Sequence, residues 1–271
     1  MRRAPRAVVA VDWSGAADPA VQRARIQVAV ALDGVLVSLE HGFTRDEAVT
    51  RLLQLADAHG ALAIGLDFAV GVPAWYARAG LGCDAAPDVW ARLYDECDRL
   101  LTGTRPFWGR PGVPRWPELD DPATAYRRTE LALMDSHGVR PKSVFQVGGA
   151  GAVGTGTLRG MGALRALRAA GVAIWPWDAA GDVTAGEIYP RLATGAVIKR
   201  DARARAALVA SLGQRIPAPL RTATTASEDA LDATCAALSL GVTLAHGWPA
   251  GPSDADARLE GWIVPMEPAT A

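Results

Sequence analysis

Residues 7–15, AVVAVDWSG, run apolar through Val11 and then turn acidic at Asp12. An unbroken Val/Ala run reads as a buried strand, and Ser14-Gly15 reads as the turn that ends it. Residues 61–73, ALAIGLDFAVGVP, repeat the arrangement, with Asp67 closing a second apolar run. An acid at the C-terminal tip of a buried strand faces the mouth of an open α/β sheet, where such folds take ligands. Two tips carrying the same acid therefore set both the expected fold and the expected site.

The segment between them gives the connection. Residues 24–32 read as a second strand and Val35–Glu40 as a third, joined by Asp33-Gly34, a strong hairpin signal. Thr44 with Glu47 three residues on is a capping box, opening a helix that stops at Gly60. A meander, a helix and a returning strand make residues 61–68 parallel to the first strand.

Beyond Pro73 the pattern changes. Residues 74–101 look helical with a break near Gly80–Pro87, and residues 102–122 are rich in Pro, Gly and aromatics without periodicity. A loop of that length is functional or disordered, and its aromatics argue for order. Helices are expected at 123–137, 157–171, 201–213 and 227–247, and strands at SVFQVGG (143–149) and VAIWPWD (172–178). The expected architecture is one α/β domain over 1–271, a five-stranded mixed sheet flanked by helices, with a helical and loop insertion near 75–145.

Bulk properties exclude little. The net charge of −1 gives no global field to recruit nucleic acid or anionic membrane. Cationic residues are nearly all Arg, which reads as coding bias. The three cysteines, Cys83, Cys97 and Cys235, are odd in number and lack CxxC spacing, so neither zinc nor a disulfide is indicated. The short apolar run after MRRAPR is not a signal peptide. No stretch has membrane-spanning length, and the expected compartment is the cytoplasm. His41, His59, His137 and His246 show no metal or triad spacing.

SEDALDATCAAL (227–238) supplies two further acids, Asp229 and Asp232, at i, i+3 on one helix face. If that face meets the strand tips, Asp12, Asp67, Asp229 and Asp232 form a cage of hard oxygen donors suited to Mg²⁺ or Mn²⁺. Each has a plain structural alternative. Asp12 and Asp67 can cap their own turns, and Asp229 can serve the helix dipole. Asp232 sits in a helix apolar nearly all round, so it should be buried and need a partner or cation. Glu187 reads as a holder of Arg191 more than as a ligand, and Asp178 as a strand end. Arg105, Arg110 and Arg115 alternate with Phe107, Trp108 and Trp116, which suits single-stranded nucleic acid or, equally, a self-packed lid. GAGAVG (149–154) matches a dinucleotide-binding pattern without its context. Gly149 and Gly151 read instead as a loop touching phosphate through backbone N–H groups, with Arg159 near it.

Taken together, VDWSG (11–15), IGLDFAVGVP (64–73), FQVGGAGAVGTGTLRGM (145–161), EIYPRL (187–192) and SEDALDATCAAL resemble the predicted RNase H-like nucleases grouped as domain of unknown function 429. The resemblance implies an RNase H-like fold and a nuclease activity with no substrate attached. In the wider superfamily the arrangement is most similar to Holliday-junction resolvases, with an acid on the first strand, one on the fourth and a D-x-x-D pair on the last helix. Those usually carry Glu where this chain has Asp67, one methylene shorter. The expected activity is a metal-dependent phosphodiesterase with Asp12 bridging, Asp67 and Asp232 flanking, and Asp229 completing a second site. Two rivals remain: a sugar kinase- or actin-like phosphate-binding enzyme, and a non-catalytic nucleic-acid or nucleotide binding module.

Overall fold

The apolar runs form the sheet, and the computed structural model, which describes residues 5–270, gives its order. Strands β1 (Ala7–Asp12), β2 (Gln27–Leu32), β3 (Val35–His41), β4 (Leu62–Leu66), β5 (Ala173–Ile174) and β6 (Val183–Glu187) lie in the order β3-β2-β1-β4-β6-β5. β1 is antiparallel to β2 and parallel to β4; β6 is parallel to both β4 and β5. The hairpin turns at Asp33 and Gly34, with φ of +47° and +79°, the left-handed pair that joins twisted strands. Thr44 and Glu47 close their capping box on helix Arg45–His59, and Gly60 ends it at φ +69°.

Helices cover both faces, as period-two alternation demands. Val9, Val11, Ile64 and Leu66 pack with Leu52, Leu158 and Leu164 on one side. Val8, Ala10 and Ala63 pack with Leu231, Ala236 and Leu240 on the other. The second side is covered by helix Glu228–Thr243, the first by helices Arg45–His59 and Val153–Ala169.

Several expectations change. The sheet has six strands, not five. β6 is only VTAGE, too short and too mixed to stand out in the sequence. SVFQVGG is not a strand: it meets the 102–122 loop through the single bridge Trp108–Gln146, while Ser143 turns its backbone back on itself. VAIWPWD contributes two strand residues, because Pro176 has no N–H to continue a ladder. Residues 24 and 25 belong to helix Pro19–Arg25 rather than to β2. The 123–137 helix breaks at Tyr126–Arg127 into Pro122–Ala125 and Arg128–His137. All three cysteines are free. Among the described residues no helix is long and apolar enough to cross a membrane.

Candidate functional site

Three elements meet at the C-terminal edge of the parallel strands. β1 ends on Asp12, which continues the face of Val8 and Ala10 toward helix Glu228–Thr243. β4 ends at Leu66, and the Asp67 N–H donates to the Val11 carbonyl at 3.1 Å, tying the second tip to the first. Ser227 caps the helix by accepting from the Ala230 N–H at 2.9 Å, setting Asp229 in the first turn and Asp232 one turn on. Asp12 and Asp232 are 8% and 7% exposed; Asp67 and Asp229 are half-buried.

The helix acids act on the ionisation of the two strand-tip acids. Burial raises the Asp12 carboxyl well above the usual range, and the charges of Asp67, Asp232 and Asp229 push it further. Burial, then Asp232, drives Asp67 up to about 8. Burial also raises Asp229 and Asp232. Lys199 opposes the rise at all four, and its Nζ donates to Asp232 Oδ2. Asp232 Oδ1 is buried without a hydrogen-bond partner. The expected cage is nonetheless not closed. Among the described residues no three acidic, histidine or cysteine side chains are grouped to hold a metal ion. Like charges repel, and the ammonium of Lys199 already neutralises one carboxylate.

A cleft of about 660 Å³ opens over these residues. Asp67 and Asp232 line it, with Lys199, Lys142, Arg25, Arg191 and Arg127 as its cations; Trp13 and Phe68, ring centroids 5.0 Å apart, form part of its wall. The N-terminal turn of helix Val153–Ala169 also faces it through Ala152, Val153 and Gly156. That helix end has no capping side chain and no acid in its first turn. A second cavity, about 490 Å³, lies at the other end of the sheet beside Arg6, Leu32, His59 and Trp248; none of the four acids lines it.

The glycine loop is where the sequence put it, and Gly149 and Gly151 line the cleft at φ +78° and +73°. Arg159 does not line the cleft. Its guanidinium donates to the Gly15 carbonyl, while Arg45 donates to those of Ser14 and Ala16 at 3.1 and 2.7 Å. These arginines brace the turn behind Asp12. A Cβ on Gly15 would stand 2.6 Å from the Gly156 nitrogen, so only glycine allows the two motifs to touch. Arg105, Arg110 and Arg115 do not line the cleft. Arg105 pairs with Glu118 and lies over Trp116, Arg110 donates to the Leu101 carbonyl at 2.9 Å, and Arg115 donates to the Leu119 carbonyl and lies over Trp108. The loop packs its own aromatics, with Phe107 fully buried.

Sequence reasoning missed a buried ion cluster on the cleft wall. Glu187, at the end of β6, holds Arg127 rather than Arg191. Arg127 is fully buried and donates to Glu187 at 2.6 and 2.8 Å and to Glu130 at 2.6 and 2.8 Å. Glu187 also accepts from the Val70 N–H at 3.0 Å. These two carboxylates raise the Arg127 guanidinium above its ordinary value against the opposing effect of burial. Nothing in YRRTE marks Arg127 apart from Arg128, since only burial distinguishes them. Asp178 likewise is structural, accepting from the Ile174 N–H and from Arg168 at 3.0 Å each.

The four acids, the glycine loop and the Gly15 contact lie on the motifs that carried the family resemblance. Comparison with curated proteins and with solved structures gave no match. A family model does match, over residues 3–241: the chain belongs to the family described as protein of unknown function DUF429.

Proposed function

We propose that the cleft is a divalent-cation-dependent phosphodiester-hydrolysis site of RNase H-like type, acting on nucleic acid. The observation that carries this reading is the surplus of carboxylate: four acids from three elements, with Asp232 and Asp229 raising both strand-tip acids and Asp232 Oδ1 unpartnered. Buried carboxylates in excess call for a cation. Carboxylate oxygens without thiolate or imidazole suit Mg²⁺ or Mn²⁺ better than zinc. Asp67 and Asp232 would hold the ion at the cleft, with Asp12 and Asp229 completing the set. When bound, such an ion polarises a phosphoryl oxygen and acidifies a coordinated water.

The chain's own residues supply the rest. Arg25, Lys142 and Arg191 line the cleft as cations for phosphate oxygens. The first turn of helix Val153–Ala169 has no side-chain cap and borders the cleft, though its Gly154 N–H already donates to the Gln146 carbonyl at 2.9 Å. Trp13 and Phe68 limit water on their side. Before a cation enters, Asp67 keeps its proton at neutral pH because its pKa lies at about 8.

A second reading, a non-catalytic nucleic-acid or nucleotide binding module, is favoured by the Lys199–Asp232 pair and by the open spacing of the acids. Labelled single-stranded, duplex and four-way-junction substrates with Mn²⁺ or EDTA separate the two. Hydrolysis is expected with Mn²⁺ and is lost in EDTA and in Asp12→Asn. Cleavage insensitive to EDTA, or equal in the variant, overturns the proposal. Binding without cleavage supports the module.

A further inference from the structure

Three aromatic residues line the cleft, and they differ in what they offer a ligand. Trp13 and Phe68 are 8% and 6% exposed, so they shape the wall and present little of themselves. Tyr189 is half-buried, and its hydroxyl makes no hydrogen bond among the described residues. It lies two residues beyond β6 and near the strand tips, since burial first and then the charge of Asp67 raise its phenol. A partly open ring with an unengaged hydroxyl is a surface on which one base can stack.

Unengaged positive charge is scarce. Arg127 is held by its glutamates, Arg191 donates to the Val197 carbonyl at 3.0 Å, and Lys199 is paired with Asp232. Lys142 and Arg25 are exposed, and their side chains make no hydrogen bond or ion pair among the described residues. Their neighbours differ. A Cβ on Gly151 would lie 3.4 Å from Lys142 Cε, whereas Arg25 acts through its charge on Asp229. Beyond the cleft, the arginines of the 102–122 loop are engaged, and a net charge of −1 gives no field to hold a long polyanion.

The acids lie deep. Asp12 and Asp232 are more than nine-tenths buried, and Asp12 does not itself line the cleft. A volume of about 660 Å³ is that of a small-molecule pocket. A duplex is a stiff rod whose bases are stacked inside it. It cannot lay a base on Tyr189 or lower a phosphate to the floor of such a cleft, and a single strand can do both. We propose that the cleft takes single-stranded nucleic acid one unstacked nucleotide at a time, the base on Tyr189 and the flanking phosphates at Lys142 and Arg25. This rests on the reading of the cleft as a nucleic-acid site. Two phosphate positions call for a strand, not a free nucleotide, and only two of them mean that further length adds little affinity.

The test is binding by the full-length protein in EDTA, read by fluorescence anisotropy. The probes are end-labelled oligothymidylates of three and ten nucleotides and a ten-base-pair duplex, with thymidine monophosphate as competitor. The two single strands should bind nearly equally, with log affinity falling on log salt at a slope of about −1.4 for two contacts. The duplex and the mononucleotide should bind at least tenfold more weakly. Tyr189→Leu should weaken the trimer at least fivefold, and Tyr189→Phe, which keeps the ring, should not. Lys142→Ala should flatten the slope by about 0.7. Should Tyr189→Leu not fold, Lys142→Ala, at an exposed position, carries the test. A duplex bound as tightly as the single strands, a mononucleotide as good as the trimer, Tyr189→Leu binding like wild type, or no binding of any oligonucleotide each overturns the proposal. The hydrolysis assay is a separate readout: cleavage of duplex or junction there keeps the phosphodiesterase reading while the single-strand assignment falls.

Discussion

Glu187 and Asp67 end neighbouring strands: Glu187 pairs with Leu66 in the ladder, and Asp67 follows Leu66. Each belongs to a cluster with more acid than base. Around Glu187 the account is closed. Arg127 reaches both glutamates with short, charge-assisted hydrogen bonds, and a backbone N–H fills a remaining lone pair. Around Asp67 it is open. One lysine opposes the rise at all four aspartates, a buried oxygen has no partner, and Asp67 is driven up to about 8. The two clusters share one cleft wall, so the difference is not a matter of depth in the fold. The first cluster is satisfied by hydrogen bonds within its own chain, and the second is not, which is why the proposed function is placed there.

Breaking the closed cluster should give the largest effect. Arg127→Met strands two buried glutamates, and losing one partner of such a pair costs about 3–5 kcal/mol. The melting temperature should fall by about 10 °C in a chain of this size, read by calorimetry. A fall of only a degree or two would mean that the cluster is not the clamp the hydrogen bonds suggest.

Relieving the open cluster should act in the other direction. The folded chain holds the Asp67 proton until a pH of about 8, whereas the unfolded chain releases it near the ordinary 3.8. The folded state therefore binds more protons across that window, and stability falls as pH rises through it. Asp67→Asn removes the penalty. Metal-free Asp67→Asn should melt several degrees above wild type at pH 8, and the gap should close toward pH 4. A gap independent of pH would show that the carboxyl is not strained. Asp12→Asn should likewise raise metal-free stability while abolishing any Mn²⁺-induced rise in melting temperature.

Gly15→Ala sharpens the comparison from the backbone side. Its Cβ would meet backbone, which cannot rotate away, and overpacking of that kind costs about 1–3 kcal/mol. The turn behind Asp12 should shift, so Mn²⁺ affinity should drop along with stability. Unchanged affinity would separate the turn from the site. The smallest effect is expected from replacing Arg105, Arg110 and Arg115 together by Ala. These arginines are engaged within their own loop and do not line the cleft. The salt dependence of nucleic-acid binding, measured as log Kd against log salt, should keep its slope. A flatter slope would restore the loop as a phosphate-binding surface.

Much was legible from residues alone where the physics is local. Apolar runs ending in Asp12 and Asp67, the Asp33-Gly34 hairpin and the Thr44–Glu47 capping box are determined by period, φ preference and a three-residue hydrogen bond. The parallel pairing of β1 with β4 followed from the connection between them. The acids Asp229 and Asp232 were placed by helix period, and the apolar residues around Asp232 bury it. Only the tertiary structure could decide the rest. VTAGE becomes β6 because β4 offers it an edge, and SVFQVGG loses its strand because the loop at Trp108 takes its backbone instead. Arg127 is an ordinary surface arginine in the sequence and a buried clamp in the fold. Lys199, 33 residues from Asp232, enters the site through a contact that no local pattern encodes. The balance of charge in a cluster depends on distances between residues far apart in the chain, and those distances exist only once it has folded.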